Sequence, residues 1–184
     1  MKTKAITIAA AVLIGSLAFQ CKEPVREKVD LIKSWNFSFE DTIPGFFIAK
    51  GGAAEGNGFT RTDNKFQFSN GLQFPLPDSL LGKELRVNID CFVRKGDSNA
   101  KHALVVDFQS PDTTSFWKTF EADNITIEKD KWVHLVDSAQ VPPMLTNKKG
   151  LELRVFGWNP TGTSYFDVDD LKISLKKVQV IAEK

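Results

Sequence analysis

The sequence predicts an all-β protein, a sandwich or barrel of about nine or ten short antiparallel strands. Apolar and polar residues alternate in several segments, as in ELRVNIDCFVRK, where every second residue from Leu85 to Val93 is apolar. Turn sequences such as GGAAEGNG, KGDSNAK and NPTGT separate these segments. The chain also contains 15 Phe and 4 Trp but only 1 Tyr, and aromatic residues are enriched in strands.

The predicted strands follow one another between residues 34 and 178. They are SWNFSF, FFIAK, KFQF and LQF as a hairpin around SNG, ELRVNIDCFVRK, HALVVDFQ, SFWKTFEA, KWVHLV, LELRVFGW and SYFDVDDLKISL. The segment VPPML interrupts the pattern with two prolines. No internal repeat or linker divides this range, so we expect one domain over residues 34–178 and a C-terminal tail over residues 179–184.

Residues 1–20 predict a cleaved export signal. Lys2 and Lys4 precede an apolar stretch that ends at Phe19, which is too short to cross a membrane comfortably. Cys21 follows directly, and this arrangement resembles a bacterial lipoprotein signal, in which Cys21 is lipidated and becomes the mature N-terminus. Such signals normally have a small residue before the cysteine, and here Gln20 stands there. A plain signal peptide that leaves Cys21 as a free thiol therefore stays open.

Lipidation of Cys21 implies a location and a role for the segment after it. The protein is then expected to be exported and anchored to the bacterial cell envelope, at the outer membrane or the cell surface. Residues 21–33 are charged and lack a strong period, so they are interpreted as a tether between the anchor and the domain.

Composition excludes some partners and some stabilising devices. The formal net charge is +1, so no basic excess indicates nucleic acid binding. The two cysteines are Cys21 and Cys91, and lipidation of the first leaves no partner for a disulfide. Cys91 shares the apolar positions of its strand and is expected to be buried as a small apolar residue. The domain is expected to be a monomer held by its core.

No catalytic motif is recognisable, and the sequence predicts a protein that is not an enzyme. It contains no nucleophile elbow, no phosphate-binding glycine loop and no cysteine–histidine cluster with metal-ligand spacing. The two histidines are isolated: His102 is expected at the surface where a strand starts, and His134 on a strand face.

Two adjacent acids interrupt the last strand. In SYFDVDDLKISL, Phe166 and Val168 have one parity, whereas Ile173 and Leu175 have the other, with Asp169 and Asp170 between them. A β-bulge at the two aspartates explains the change of parity. Because an unpaired buried carboxylate is unfavourable, these acids must be solvated, hydrogen-bonded or bound to a metal ion.

Three segments together resemble the galactose-binding-like family of β-jelly-rolls, especially carbohydrate-binding modules of the cellulose/xylan type. The segments are NFSFED (36–41), KWVHLVDSAQVP (131–142) and LELRVFGWNPTGTSYFDVDDLKISL (151–175). The resemblance implies a jelly-roll β-sandwich. It also implies a structural calcium ion held by the positions that match the family's ligands, Glu40 of the opening strand and Asp169 of the closing pair. Calcium suits such a site because it accepts several oxygen ligands at flexible geometry.

Candidate ligand-binding residues are aromatic and polar side chains on the faces that do not join the core. Sugar sites combine aromatic faces with a few polar groups. The candidates are Arg154, Phe156 and Trp158 on one strand, Phe92 and Arg94 on a second, and Trp117 on a third, with Asp107 and Gln109 as hydrogen-bonding groups. Trp132 matches a position that is usually structural in the resembled family, and Trp35 has core parity.

The function predicted is non-catalytic binding of an oligo- or polysaccharide by an exported, membrane-anchored domain. A structural or protein-interaction lipoprotein with the same fold and no sugar site stays open. A small lyase or hydrolase on the same scaffold would need a cleft with converging acid, base and cation, which the sequence does not display. A jelly roll serves many functions, so the fold alone does not decide among these.

Overall fold

The computed structural model describes residues 26–44, 46–69, 71–111, 113–122 and 125–181, and this part of the chain forms two antiparallel sheets. Its ten strands are β1 (Arg26–Phe37), β2 (Ile48–Lys50), β3 (Gly58–Thr62), β4 (Leu72–Pro75), β5 (Glu84–Lys95), β6 (Ala103–Ser110), β7 (Thr113–Glu121), β8 (Val133–Val141), β9 (Glu152–Trp158) and β10 (Phe166–Ile181). A 3-10 turn (Asp78–Leu80) and the single-turn helix α1 (Pro143–Thr146) complete it. The predicted jelly-roll β-sandwich is confirmed.

The two sheets differ in size. The six-stranded sheet has the order β2-β3-β10-β5-β8, and β1 pairs with β10 as well. The four-stranded sheet has the order β4-β9-β6-β7. Each sheet presents one face to the core between them and one outer face to the surroundings, as in other β-sandwiches.

Alternating residues of both sheets fill the core. On β5 the predicted inward residues from Leu85 to Val93 are at most 1% exposed, Cys91 among them. From the four-stranded sheet, Leu104, Val106 and Phe108 of β6 face them, together with Leu153 and Val155 of β9. Burial in this apolar core raises the pKa of the Cys91 thiol, which is consistent with the predicted apolar role.

The predicted bulge in the last strand is confirmed. Asp169 pairs with Phe92 of β5, and the next pair joins Lys172 to Asp90, so two residues of β10 oppose Cys91 alone. Asp170 has a φ of 44°, a conformation that Asp adopts more readily than most residues. The extra residue keeps Phe166 and Val168 before the bulge, and Leu171 after it, directed into the core.

The domain boundaries differ from those expected. Residues 26–33, predicted as tether, belong to β1, which pairs with β10 as far as Ile181. This part of β1 shows no alternation of apolar and polar residues, because both faces of the β1–β10 pair are partly solvated here. Leu31 and Val180 are each 61% exposed. The expected signal 1–20, Cys21 and residues 182–184 lie outside the described residues.

The segment KFQF is not a strand, and it does not form a hairpin with LQF. Asp63 Oδ1 accepts hydrogen bonds from the amides of Lys65 and Phe66, at 2.8 and 3.0 Å, and so holds a turn there. Strand β4 pairs with β9 instead. Among the described residues, no helix is long and apolar enough to span a bilayer.

Candidate functional site

The outer face of the four-stranded sheet collects most of the predicted ligand-binding side chains. Strand β6 lies between β9 and β7, and Asp107 pairs with Arg154 on one side and with Trp117 on the other. Val105 likewise pairs with Phe156, and Ala103 with Trp158. Since paired residues point to the same face, Arg154, Phe156, Trp158 and Trp117 share one surface, as their parity predicts.

Four aromatic rings form a continuous cluster on this face, and Phe68, Trp117, Phe156 and Trp158 are called the aromatic cluster below. The Phe68 ring lies parallel to Trp158, with centroids 6.3 Å apart and an interplanar angle of 9°. Trp117 meets Phe156 at 5.7 Å and Trp158 at 5.9 Å, both edge to face. Phe68 is 54% and Trp117 45% exposed, so the cluster offers open ring surface to a ligand.

Phe68 is a member that the sequence did not reveal. The segment around it lies along the end of β9, where the Gln67 carbonyl accepts from the Asn159 amide at 2.7 Å. The Ser69 amide donates to the Gly157 carbonyl at 3.0 Å, and Ser69 Oγ accepts from the Gly157 amide at 2.7 Å. These long-range contacts place Phe68 opposite Trp158, and no local spacing signals them.

Two hollows flank the aromatic cluster and contribute polar groups. One, of about 220 Å³, lies beside Phe68 and Phe156 and is lined by Gln73 and Arg154. The other, of about 230 Å³, lies beside Trp158 and is lined by Lys101, Ala103, Thr119 and Glu121. Arg154 is oriented by its hydrogen bond to Glu152 Oε1, at 2.8 Å. Rings flanked by polar groups match the composition of a sugar site.

Asp107 lies beneath this face and is 3% exposed. Its Oδ1 has no hydrogen-bond partner among the described residues. Burial raises the pKa of the Asp107 carboxyl, and the positive charge of Arg154 opposes the shift only in part. The negative charge of Asp107 thus attracts Arg154, and the burial of that charge is unfavourable for folding. Gln109, the other predicted hydrogen-bonding residue, pairs with Glu152 toward the opposite end of the strand.

Phe92 and Arg94 are separated from the other candidates, because β5 belongs to the six-stranded sheet. Phe92 packs against His134, with ring centroids 5.1 Å apart. Arg94 bonds to the buried Asp167 through Nη2 and Oδ2, at 2.8 Å, and stacks on Trp132 at 4.4 Å. Two outer faces of a sandwich point in opposite directions, so these two residues cannot join the aromatic cluster in one site.

Arg94 and Trp132 are instead parts of a cluster that fixes the loop of residues 51–57. Asp167 is fully buried and also accepts from Arg61 Nε, at 2.6 Å. The Gly52 carbonyl accepts from Trp132 Nε1 at 2.9 Å and from Arg94 Nη1 at 2.8 Å. The structural role expected for Trp132 is consistent with this contact. Trp35 packs edge to face on Phe74, at 5.0 Å, against the core.

Glu40 and Asp169, the predicted calcium ligands, hold the same loop. Glu40 Oε1 accepts from the amides of Asn57 and Gly58, at 2.8 and 2.9 Å. Asp169 is fully buried, and its Oδ2 accepts from the amides of Ala54 and Glu55, at 2.9 and 3.0 Å. The amides of Gly58 and Asn57 lower the pKa of the Glu40 carboxyl, whereas burial raises that of Asp169 despite its amide partners.

The donor set at these two carboxylates does not fit a calcium ion. Amide hydrogens are directed at three of the four carboxylate oxygens, Glu40 Oε1 and both oxygens of Asp169, whereas calcium needs six to eight oxygen ligands. Among the described residues, no group of three or more Asp, Glu, His or Cys could hold a metal ion. Glu40 lies beyond the end of β1 and not in the opening strand as expected, so carboxylate–amide hydrogen bonds join the segment after β1 to β10 through the loop.

His102 is buried, contrary to the expected surface position. It is 1% exposed, and its ring stacks on Phe166 with centroids 5.2 Å apart. His102 has the same parity as the inward-facing Leu104 and Val106, so the run of inward-facing side chains already begins at His102. His134 is exposed on β8, where its Nε2 lies 2.7 Å from Asp90 Oδ1.

Comparison with solved structures shows the fold. The CBM22-2 xylan-binding domain of Paenibacillus barcinonensis Xyn10C is 17% identical, over 77% of this chain and 98% of that one, with a TM-score of 0.53. The CBM22-1 xylan-binding domain of the same protein is 18% identical, over 84% and 97%, with a TM-score of 0.49. A Stig cyclase from Fischerella sp. TAU is 14% identical, over 87% and 79%, with a TM-score of 0.40. The chain thus shares the jelly-roll fold of the CBM22-2 domain.

Sequence comparison adds nothing to this result, since no family model and no curated protein matches the chain.

Replacing Asp169 by Asn should destabilise the domain. One side-chain oxygen cannot replace two, and the new NH₂ group would face an amide donor. Asp169 accepts three amide hydrogens, so we expect their loss to outweigh the relief of the burial that raises the pKa of its carboxyl group, with a net loss of about 1–3 kcal/mol in the free energy of unfolding. The control is Asp170→Asn, at which Asn tolerates the positive φ and only the solvent-screened pair with Lys172 is lost, so a clearly smaller loss is expected. Urea unfolding measures both. Equal losses would contradict the role given to Asp169.

Replacing Asp107 by Asn should stabilise the domain at pH 7.5. A raised folded-state pKa means that the charged carboxylate opposes folding above its unfolded pKa, of about 3.9, and that this cost disappears when both states are protonated. The gain in the urea midpoint should therefore shrink toward zero as the pH falls below 4. Asp41→Asn, at an exposed acid, is the control. A loss of stability at pH 7.5 would contradict the account.

Proposed function

We propose that the domain is a non-catalytic carbohydrate-binding module that holds an oligo- or polysaccharide on the aromatic cluster. The observation that carries the proposal is the set of four contacting rings on an open sheet face, with hydrogen-bonding groups in the hollows at both sides. Aromatic faces pack against the C–H surfaces of pyranose rings, and the polar groups then fix orientation.

We also propose that the domain binds its ligand without hydrolysing it. Hydrolysis of a glycoside uses two carboxyl groups placed on either side of the scissile bond. On this face Asp107 is buried below the surface, Glu152 is engaged by Arg154, and Glu121 lines the hollow beside Trp158. Among the described residues of this face, Glu121 is thus one exposed carboxyl group without a second free one opposite it, which supports binding without turnover.

Export and anchoring complete the proposal, and they rest on the sequence of residues 1–21. A lipid on Cys21 would leave only residues 22–25 before β1, so the tether would be much shorter than expected. A module held this close to the envelope would retain polysaccharide near the cell surface. If the aromatic cluster binds no sugar, the structural or protein-interaction lipoprotein is the alternative.

The binding test compares the two outer faces. The fold neighbour is described as xylan-binding, so soluble xylan is the first probe, followed by mixed-linkage β-glucan, mannan and pectin. Trp158→Ala and Phe68→Ala should each weaken binding at least tenfold, about 1.4 kcal/mol, because they remove ring surface from the cluster. Phe92→Ala removes an aromatic ring from the opposite face and should leave the affinity unchanged. Isothermal titration measures all three.

Two results would contradict the proposal. If Phe92→Ala weakens binding and Trp158→Ala does not, the sugar site lies on the six-stranded sheet. If the folded wild-type protein binds none of the four polysaccharides, the scaffold or protein-interaction function replaces sugar binding.

A further inference from the structure

The outer face of the six-stranded sheet contains a second concavity, larger than the hollows of the four-stranded sheet. It has a volume of about 500 Å³ and crosses β1, β10, β5 and β8. We call it the transverse groove. Polar side chains of Ser34, Asn36, Asn88, Asp90, Lys172 and Ser174 line it, together with apolar surface from Val136 at one end and from Trp35, Ile89 and Ile173.

The strand register explains why a groove forms here. One row of paired residues across the four strands has short side chains, namely Ser34, Ser174, Asn88 and Ser138. The neighbouring row on one side has longer side chains, which are Leu31, Lys176, Arg86 and Gln140. On the other side, the side chains of the paired residues Lys172 and Asp90 form the second wall of the groove. The floor spans three inter-strand spacings, about 14 Å, which is long enough for a short oligosaccharide.

The charged groups of the groove are already paired with neighbours. Lys172 Nζ lies 2.6 Å from Asp170 Oδ2, and Asp90 Oδ1 lies 2.7 Å from His134 Nε2. An ionic ligand would have to compete with these contacts. A neutral ligand would leave them in place and bond to hydroxyl and amide groups instead, so the electrostatics favour a neutral, hydroxyl-rich molecule.

Asn88 lies in the centre of the groove and is not locked by its neighbours. Its Oδ1 is buried and has no hydrogen-bond partner among the described residues. Rotation of the amide exchanges the acceptor and the two donors, so the side chain can meet either end of a ligand hydroxyl. The apolar side chain of Val136, 63% exposed, adds a surface for the C–H face of a sugar ring.

The direction of the groove disfavours a peptide strand as its occupant. Peptides that extend a sheet pair with an open strand edge. Here β10 and β5 are paired on both sides over the groove, so their backbone groups are already used. A ligand in this groove must be recognised through side chains, which is how hydroxyl groups of a saccharide are bound.

We propose that the transverse groove is a second saccharide site, which takes a neutral oligosaccharide lying across the four strands. It is independent of the aromatic cluster, because the two sites occupy opposite outer faces of the sandwich. A domain with both sites could bind two glycan chains at once, or two segments of one chain, and gain avidity without any new contact.

The test uses the full chain with Trp117→Ala and Trp158→Ala, which disables the aromatic cluster. This protein is titrated with xylohexaose, cellohexaose and hexagalacturonate while backbone amide shifts are recorded by NMR. We expect at least one neutral hexasaccharide to shift the amides of Asn88, Asp90 and Ser174, and to bind at least tenfold more tightly than hexagalacturonate.

Three further variants locate the site. Ser174→Tyr fills the groove with a good strand former and should weaken binding at least tenfold, and Asn88→Ala should weaken it without adding bulk. Gln179→Tyr adds the same ring to an exposed position of β10 and should have no effect. The proposal fails if no neutral hexasaccharide shifts the groove amides, if hexagalacturonate binds more tightly, or if Ser174→Tyr and Asn88→Ala both leave the affinity unchanged. Any such failure leaves binding by the aromatic cluster intact.

Discussion

The architecture depends on one strand, β10, which pairs with β1, β3 and β5 and carries the bulge at Asp169–Asp170. Without the extra residue, one half of this strand would direct its apolar side chains outward. The bulge therefore lets a single strand of 16 residues contribute to the core along its length. On its outer side the same strand presents Asp167 and Asp169, and both acids are buried because arginines and loop amides satisfy them.

This arrangement divides the two outer faces by role. The six-stranded sheet uses its Arg61–Asp167–Arg94 cluster and the carboxylates of Glu40 and Asp169 to hold the loop of residues 51–57. Beyond that loop the same sheet is open and polar, at the transverse groove. Among the described residues, no comparable loop covers the four-stranded sheet, so Phe68 and Trp117 on its outer face stay exposed and belong to the surface on which the proposed function rests.

The sequence predicts the parity of β5, β9 and β10, because burial on one face alone imposes a period of two. It therefore places Arg154, Phe156 and Trp158 on one face and anticipates the bulge. It could not reveal that β5 and β9 belong to different sheets, which separates Phe92 and Arg94 from Trp158. Phe68 was missed because contacts with distant residues of β9 position it. The carboxylate–amide contacts of Glu40 and Asp169 were missed because a matching pair of acids does not reveal which atoms approach them.

The four tryptophans allow the central claim, that the aromatic cluster binds sugar, to be tested without any mutation. Trp117 and Trp158 belong to the cluster, whereas Trp35 packs on the core and Trp132 lies under Arg94. The four indole N–H signals of the protein should be followed by NMR during a titration with soluble xylan fragments, and then with fragments of the other polysaccharides. A glycan bound to the aromatic cluster should shift the signals of Trp117 and Trp158 and leave that of Trp132 in place, whereas a shift of Trp35, which lines the transverse groove, would report binding at that second site. A glycan that binds without moving the Trp117 and Trp158 signals would contradict the central claim.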